Sequence, residues 1–290
     1  MPVLYSYTAM IPSILPSTGP IGVFDSGYGG LTILDKIRGL MPEYDYIYLG
    51  DSARCPYGPR SFEVVYEFTL QAVSKLFELG CPLVILACNT ASAKALRTIQ
   101  QINLPVIDAT RRVLGVIRPT AECIGEITRS RHVGILATAG TIKSESYLLE
   151  IHKLSPDIVV TGEACPMWVS LVENNEYQSE GADYFVKQHI NRLLDKDPMI
   201  DTIILGCTHY PLLLDKIRQF TPGHIRIIAQ GEYVARSLQD YLNRHPEMDA
   251  RCEKGGKCRF LTTESESKFE ESASIFLGRQ DIKVESIALE

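Results

Sequence analysis

The chain has little that would tie it to a membrane, a nucleic acid or an oxidising compartment. Its longest uninterrupted apolar run, Leu83–Cys88, is far too short to cross a bilayer, which takes about 20 residues. No stretch is rich in Lys or Arg and the formal net charge is −6, so neither a membrane nor a nucleic acid is an expected partner. Any anionic ligand would need local donors rather than a positive field. The first twenty residues hold Pro2, Pro12, Pro16 and Pro20 and no basic residue. They lack the charged start of a secretory signal and read as a loose extension over 1–19. Eight cysteines in 290 residues do not make a disulfide scaffold, and a reducing cytoplasm is the expected location. Cys252 and Cys258 have no second ligand pair at zinc spacing. They read as two thiols in a surface segment, and no metal is expected.

What is present is a soluble composition, long enough for a large core and two domains. Two apolar runs stand out. Leu83–Ser92 (LVILACNTAS) breaks at Cys88 into Asn89 and Thr90. Thr202–Tyr210 (TIILGCTHY) breaks at Cys207 into Thr208 and His209. Two buried strands that each end in a thiol and small hydrogen-bonding residues suggest one site made of two halves.

The elements around them alternate. Pro20–Asp25 is a strand pattern, followed by the turn Ser26–Gly30 and a helix over Leu31–Leu40. The turn lacks the Gly-Lys-Ser/Thr ending of a P-loop and the spacing of a dinucleotide fingerprint. Tyr46–Gly50 is a strand ending at Asp51-Ser52. Arg54–Gly58 is a loop, and Phe62–Leu79 is a helix stopped by Gly80. After the Cys88 strand come a helix to about Gln101 and a short strand at Pro105–Asp108. The pattern restarts near Val113. It gives a strand at Val133–Ala137, a helix at Ser144–Leu154, a strand at Ile158–Thr161 and a loop holding Cys165-Pro166. A helix at Ala182–Leu194, the Cys207 strand from Ile200 and a helix at Leu212–Phe220 complete it. The tail reads as helix over Gly231–Asn243, strand over Phe260–Thr263, helix over Glu266–Leu277 and strand over Ile282–Leu289. Such alternation means parallel sheets, with ligands at the carboxyl ends of strands. Asp25, Asp51 and Cys88 fall there.

The restart is an internal repeat. Gly22-Val-Phe-Asp-Ser-Gly aligns with Gly134-Ile-Leu-Ala-Thr-Ala, Arg54-Cys-Pro-Tyr with Ala164-Cys-Pro-Met, and Ile85-Leu-Ala-Cys-Asn with Ile204-Leu-Gly-Cys-Thr. The fold expected is α/β. It has two similar lobes, each a mostly parallel sheet flanked by helices, related by pseudo-twofold symmetry with the site between them. The first lobe is discontinuous, 20–112 plus 228–290, and the second is 113–227. Asp25 aligns with Ala137, so the second lobe lacks that carboxylate, and Glu173 or His209 is the candidate to replace it.

A cysteine at a strand end is commonly a small buried hydrophobe. Two of them in matched lobes suit a different task. One thiolate removes a proton from a carbon, and the opposite thiol delivers one to the other face, inverting the centre. Each group must be tuned toward its role. A helix N-terminus or a neighbouring base does this for a thiol, and His209 lies two residues from Cys207. Asp25 is placed to accept a proton from Cys88. The carbanion's carboxylate needs fixed donors. Ser26, Asn89, Thr90, Thr138 and Thr208 supply them, with Thr141 in the turn after Thr138. Taken singly, His209 reads as a packed histidine, Glu173 as a solvated helix charge and Tyr57 as a turn closer.

Asp25-Ser-Gly-Tyr-Gly-Gly-Leu-Thr, Pro56-Tyr57-Gly58, Ala87-Cys-Asn-Thr-Ala-Ser and Gly206-Cys-Thr-His-Tyr-Pro resemble the glutamate racemases of the aspartate/glutamate racemase superfamily. The likeness runs from about Pro20 to the end. It implies cofactor-independent interconversion of L- and D-glutamate, supplying D-glutamate for peptidoglycan. It implies that Cys88 acts on D-glutamate with help from Asp25, and Cys207 on L-glutamate with help from Glu173 and His209. Asp25-Ser26, Tyr57-Gly58, Asn89-Thr90 and Thr208-His209 would line the substrate site. A homodimer and control by a peptidoglycan precursor are further expectations. The long extension and Cys55, a third thiol near the site, depart from the shortest members. The rivals are a related aspartate racemase or maleate isomerase, a pyridoxal-phosphate racemase using Lys94, and a two-lobed binding protein without catalysis.

Overall fold

The computed structural model describes residues 18–278 and 282–289, so all but the last two residues of the expected extension lie outside them. The described residues form two parallel sheets. The first takes β1 (Ile21–Asp25), β2 (Tyr46–Gly50), β3 (Leu83–Leu86), β4 (Arg112–Gly115), β9 (Cys258–Thr262) and β10 (Val284–Ser286), in the order β10-β9-β2-β1-β3-β4. The second takes β5 (His132–Ala137), β6 (Val159–Ala164), β7 (Thr202–Gly206) and β8 (Arg226–Ala229), in the order β6-β5-β7-β8. The order β2-β1-β3-β4 is therefore repeated as β6-β5-β7-β8, which is the internal repeat expressed as topology. All strand pairs are parallel. The central strands β1, β2, β3 and β7 are buried at every residue, as parallel strands covered by helices on both faces must be.

In each sheet the chain starts at an inner strand, moves to one side, then crosses to the other. The carboxyl ends of β1 and β5 are thus topological switch points, where the flanking loops diverge and leave a crevice. Asp25-Ser26 and Cys88 stand at one switch point, and Thr138 and Cys207 at the other. Helices open at these ends with side-chain caps. The Cys88 thiol accepts from Ala91 N and the Thr138 hydroxyl from Thr141 N.

Several local expectations change. Pro105–Asp108 is not a strand. A helical run continues from Asn89 through a π segment at Ile99–Asn103 into the helix Leu104–Ile107, where Pro105 sits in the first turn and its missing N–H costs nothing. The strand comes later, at Arg112–Gly115, and pairs with β3. Residues 113–115, expected in the second lobe, therefore pair in the first sheet, and residues 228–229 pair with β7 in the second. Cys165-Pro166 is not a loop but the start of the helix Pro166–Glu173. The helix expected over Ser144–Leu154 starts two residues later, at Ser146, and a separate short helix, Ala139–Lys143, precedes it, the two divided at Glu145 with φ of 56°. The expected final strand over Ile282–Leu289 forms only at Val284–Ser286. Cys252 is not on a surface segment; it is buried and bridges to Gly19.

Candidate active site

The carboxyl ends of both sheets meet around one small cavity. Ser26, Cys55, Tyr57, Gly58, Cys88, Asn89 and Thr90 line it from the first sheet's side. Thr138, Val169, Cys207, Thr208 and His209 line it from the second. Its volume is about 20 Å³, room for a single water and too small for any amino acid, so the groups around it must move apart to admit one. Cys88 and Cys207 are 5 % and 6 % exposed, each at the floor of its own half.

Around Cys88, the thiol lies 3.4 Å from Ser26 Oγ and accepts from Ala91 N at 3.4 Å. Burial and the nearby Asp25 charge push this thiol up to about 12. Asp25 is fully buried. Its Oδ1 accepts from Gly30 N at 2.9 Å and from Thr208 Oγ1 at 3.4 Å, while Oδ2 has no partner. Burial lifts this carboxyl to about 6, against the pull of the positive His209 and the Gly30 N–H.

Around Cys207 the arrangement differs. Sγ is 3.8 Å from His209 Nδ1, and His209 Nε2 is 3.0 Å from Glu173 Oε1. Burial alone would drive His209 down, but the sulfur on one side and the Glu173 carboxylate on the other lift it to about 10. Burial would raise Glu173, yet donation from His209 and from Cys55 holds it below the ordinary carboxylate range. Glu173 is therefore no solvated helix charge. It ends the helix Pro166–Glu173 and takes the Cys55 thiol at 3.1 Å across the cleft.

Hydroxyls join the halves. Thr90 Oγ1 is 3.0 Å from Thr138 Oγ1 and 3.4 Å from Thr141 Oγ1, and Thr138 and Thr141 are 3.1 Å apart. Two glycines permit this approach. A Cβ on Gly29 would press into Thr208 Oγ1 and lie 2.6 Å from His209 Nδ1, and one on Gly140 would lie 2.6 Å from Gly58 O. Tyr57 lines the cavity, but its hydroxyl donates to Asp51, which also takes Arg54 Nε at 2.7 Å and Thr263 Oγ1 at 2.8 Å. Asp51 thus fixes the loop that carries Cys55 and Gly58. Lys94, expected as a solvated charge, is buried and donates to Arg60 O at 2.5 Å, over the Phe62 ring.

Sequence reasoning missed three contributors. Phe276 of the helix Glu266–Leu277 packs edge-on against His209, with ring centroids 5.4 Å apart. Tyr147 and Gln230 bind both ends of the Asn89 amide, at 2.7 Å each. Nothing local marks them, because each is brought in by the repeat and the returning tail. Among the described residues no group of three or more His, Cys, Asp and Glu side chains could hold a metal, and no helix is long and apolar enough to cross a membrane.

Two sheets of matching strand order, each delivering a thiol at the same strand end to one shared cavity, make the fold of an amino-acid racemase. The chain belongs to the Asp/Glu/Hydantoin racemase family, whose profile matches residues 32–238. It is 38 % identical over 270 residues to a glutamate racemase of Roseobacter denitrificans, covering 90 % of this chain and 97 % of that one. Its fold matches the crystal structure of a glutamate racemase isoform from Bacillus anthracis with a TM-score of 0.85, at 36 % identity over 93 % of this chain and 98 % of that one. It also matches a Francisella tularensis glutamate racemase crystallised in complex with D-glutamate, with a TM-score of 0.83, at 31 % identity over 94 % and 99 % of the two chains.

Proposed function

We propose that this chain interconverts L- and D-glutamate without a cofactor, by proton transfer between two cysteines on opposite faces of the α-carbon. The observation that carries the reading is the pair Cys88 and Cys207, one from each sheet, lining the same cavity. The named relatives support glutamate as substrate. In the L-to-D direction the Cys207 thiolate takes the α-proton, so the Cα–H bond breaks and an S–H bond forms. The Cys88 S–H bond then breaks and gives its proton to the opposite face. Cys88, pushed up to about 12, waits as a protonated donor. His209 keeps its proton to about 10, held between the Cys207 sulfur and the Glu173 carboxylate, and so places a cation beside the sulfur that is to take the α-proton. The D-to-L direction exchanges the roles, with Asp25 next to Cys88 as the assisting base.

The carbanion intermediate is stabilised by fixed donors rather than by bulk charge. The hydroxyls of Ser26, Thr90, Thr138 and Thr208 and the backbone at Gly58 line the cavity and are placed for this, with Thr141 behind them, bonded to Thr138 and Thr90. Asn89 lines the cavity as well; Gln230 and Tyr147 orient its amide and leave its second N–H for the substrate. The same reading carries supply of D-glutamate for peptidoglycan in the cytoplasm. A homodimer and a response to a peptidoglycan precursor rest on family resemblance alone.

The test is a chiral assay of purified protein with L-glutamate and L-aspartate and no added cofactor. Glutamate is expected to racemise and aspartate to remain. Cys88→Ala and Cys207→Ala are expected to fold and to abolish racemisation, falling by at least about 10³-fold. Full racemisation by either variant would refute the two-base mechanism.

A further inference from the structure

Gln230 stands one residue after β8, where the chain leaves the second sheet, and Val116 one residue after β4, where it leaves the first. These are the two crossings between the lobes. The Gln230 side chain ties them together, its Nε2 donating to Val116 O at 3.1 Å. The same amide closes a ring with two other side chains. Asn89 Nδ2 donates to Gln230 Oε1 at 2.7 Å, Gln230 Nε2 donates to Tyr147 OH at 2.6 Å, and Tyr147 OH donates to Asn89 Oδ1 at 2.7 Å. Thr120 Oγ1 lies beside them, 3.2 Å from Nε2. Gln230, Asn89 and Tyr147 are all buried, so none of these bonds has water as a ready substitute.

The ring spans what the reaction must keep in register. Asn89 directly follows Cys88 and opens the helix Asn89–Lys94. Tyr147 belongs to the helix Ser146–Leu154 of the second lobe. The cavity between the sheets is too small for an amino acid, so a substrate must part the groups that line it. Some contacts across the cleft, such as Thr90 with Thr138 and Cys55 with Glu173, join groups that line or flank the cavity and must yield to a substrate. The Gln230 ring joins the crossings themselves, where a pivot has to be.

We propose that Gln230 is a positioning residue. Through its ring with Asn89 and Tyr147 it pins the Cys88 strand end to both interlobe crossings, so that each closure returns the two thiols to the same separation. The proposal rests on the two-cysteine reading above. A misplacement of about 1 Å at a reacting group costs about 10²-fold in rate. Slack in the ring therefore shows in the proton transfers before it shows in substrate binding. It shows in a specific way. If Cys207 forms the carbanion but Cys88 is badly placed to quench it, the carbanion outlives exchange of the new Cys207 S–H with solvent deuterium and takes a deuteron back on the face that lost the proton.

The experiment follows L-glutamate in deuterated buffer and compares deuterium entering the recovered L-enantiomer with formation of D-glutamate. The wild-type chain must first racemise glutamate; if it does not, the functional reading fails, whatever Gln230 does. Given that, Gln230→Leu is expected to lower kcat by about tenfold or more, to leave KM within about threefold, and to raise the ratio of exchange to inversion. Tyr147→Phe, which removes one hydroxyl and keeps the ring's shape, is expected to move the same ratio in the same direction by less. A wild-type ratio in a folded Gln230→Leu overturns the proposal, including the case where kcat falls only with the folded fraction. Should Gln230→Leu not fold, the ratio in Tyr147→Phe decides on the same terms.

Discussion

Asp25→Asn should make the protein more stable at neutral pH while it damages the site. Asp25 is fully buried, one of its oxygens has no partner, and burial lifts its carboxyl from 3.8 to about 6. Between those values the folded chain binds a proton that the unfolded chain has lost, so stability falls as pH rises through that window and stays low above it. The full cost of ionising a group shifted by about two units is about 3 kcal/mol. Between about pH 4.5 and 7.5 the part that develops is about 2 kcal/mol, because unfolded chains are already mostly ionised at the lower pH. The side-chain amide of Asn keeps an oxygen for Gly30 N and carries no charge. Urea unfolding of both proteins at the two pH values gives the double difference, in which the other titrating groups cancel. The stability of Asp25→Asn relative to wild type is expected to rise by about 2 kcal/mol from the acid to the neutral measurement. A difference flat across that range, or one of opposite sign, refutes the claim that the structure holds this carboxyl against its ionisation.

His209 shows the opposite pH dependence. Its folded pKa is raised to about 10, so the stability it contributes is complete below about 6.5 and is lost as pH rises through 10. The stability gap between wild type and His209→Asn should therefore shrink between about pH 7 and 9.5 in urea titrations, and a constant or widening gap contradicts the charged assignment. Gly29→Ala should keep the fold by circular dichroism and lose kcat by about tenfold or more, since its methyl would press on Thr208 and His209 at the closed site. Gly39→Ala, within the helix Leu31–Leu40 and with nothing inside 4 Å of the new Cβ, serves as its control. It should add about 1 kcal/mol of stability and leave activity alone.

The parts of the fold that were legible in the sequence are those where one local rule dominates. Leu31–Leu40 and Tyr46–Gly50 have the limits that their periodicity suggests, because each buries an unbroken apolar pattern between sharp turn residues. Cys88 and Cys207 were legible because an apolar run stops at a thiol twice, in the same repeat position. Pro105 misled because a proline after an apolar run reads as punctuation, whereas here it occupies the first turn of a helix. Gln230 and Tyr147 were not legible at all. Their partner Asn89 lies 141 and 58 residues away, and no local pattern encodes a hydrogen bond of that kind. Asn89 itself was read as a substrate donor from its place beside Cys88. What its position could not reveal is that Gln230 and Tyr147 also hold its amide, one at each end.

The two halves of the site share a strand order and a thiol, but they do not share the group that attends the thiol. On the Cys88 side it is a buried carboxylate with one idle oxygen. On the Cys207 side it is an imidazole held charged between sulfur and Glu173. Under the two-thiol reading this asymmetry is compatible with the reaction. The enantiomers have equal free energy, so kcat/KM must be the same in both directions whatever the residues are. Unequal halves can only divide that common value differently between kcat and KM. With the Cys88 thiol pushed up and a charged imidazole beside Cys207, the proposed roles divide that value unequally between the two directions. The repeat therefore had to preserve the positions of the two sulfurs and was free to replace Asp25 by Ala137. What it could not relax, on that reading, was the distance across the cleft, the quantity that the proposed Gln230 ring would hold.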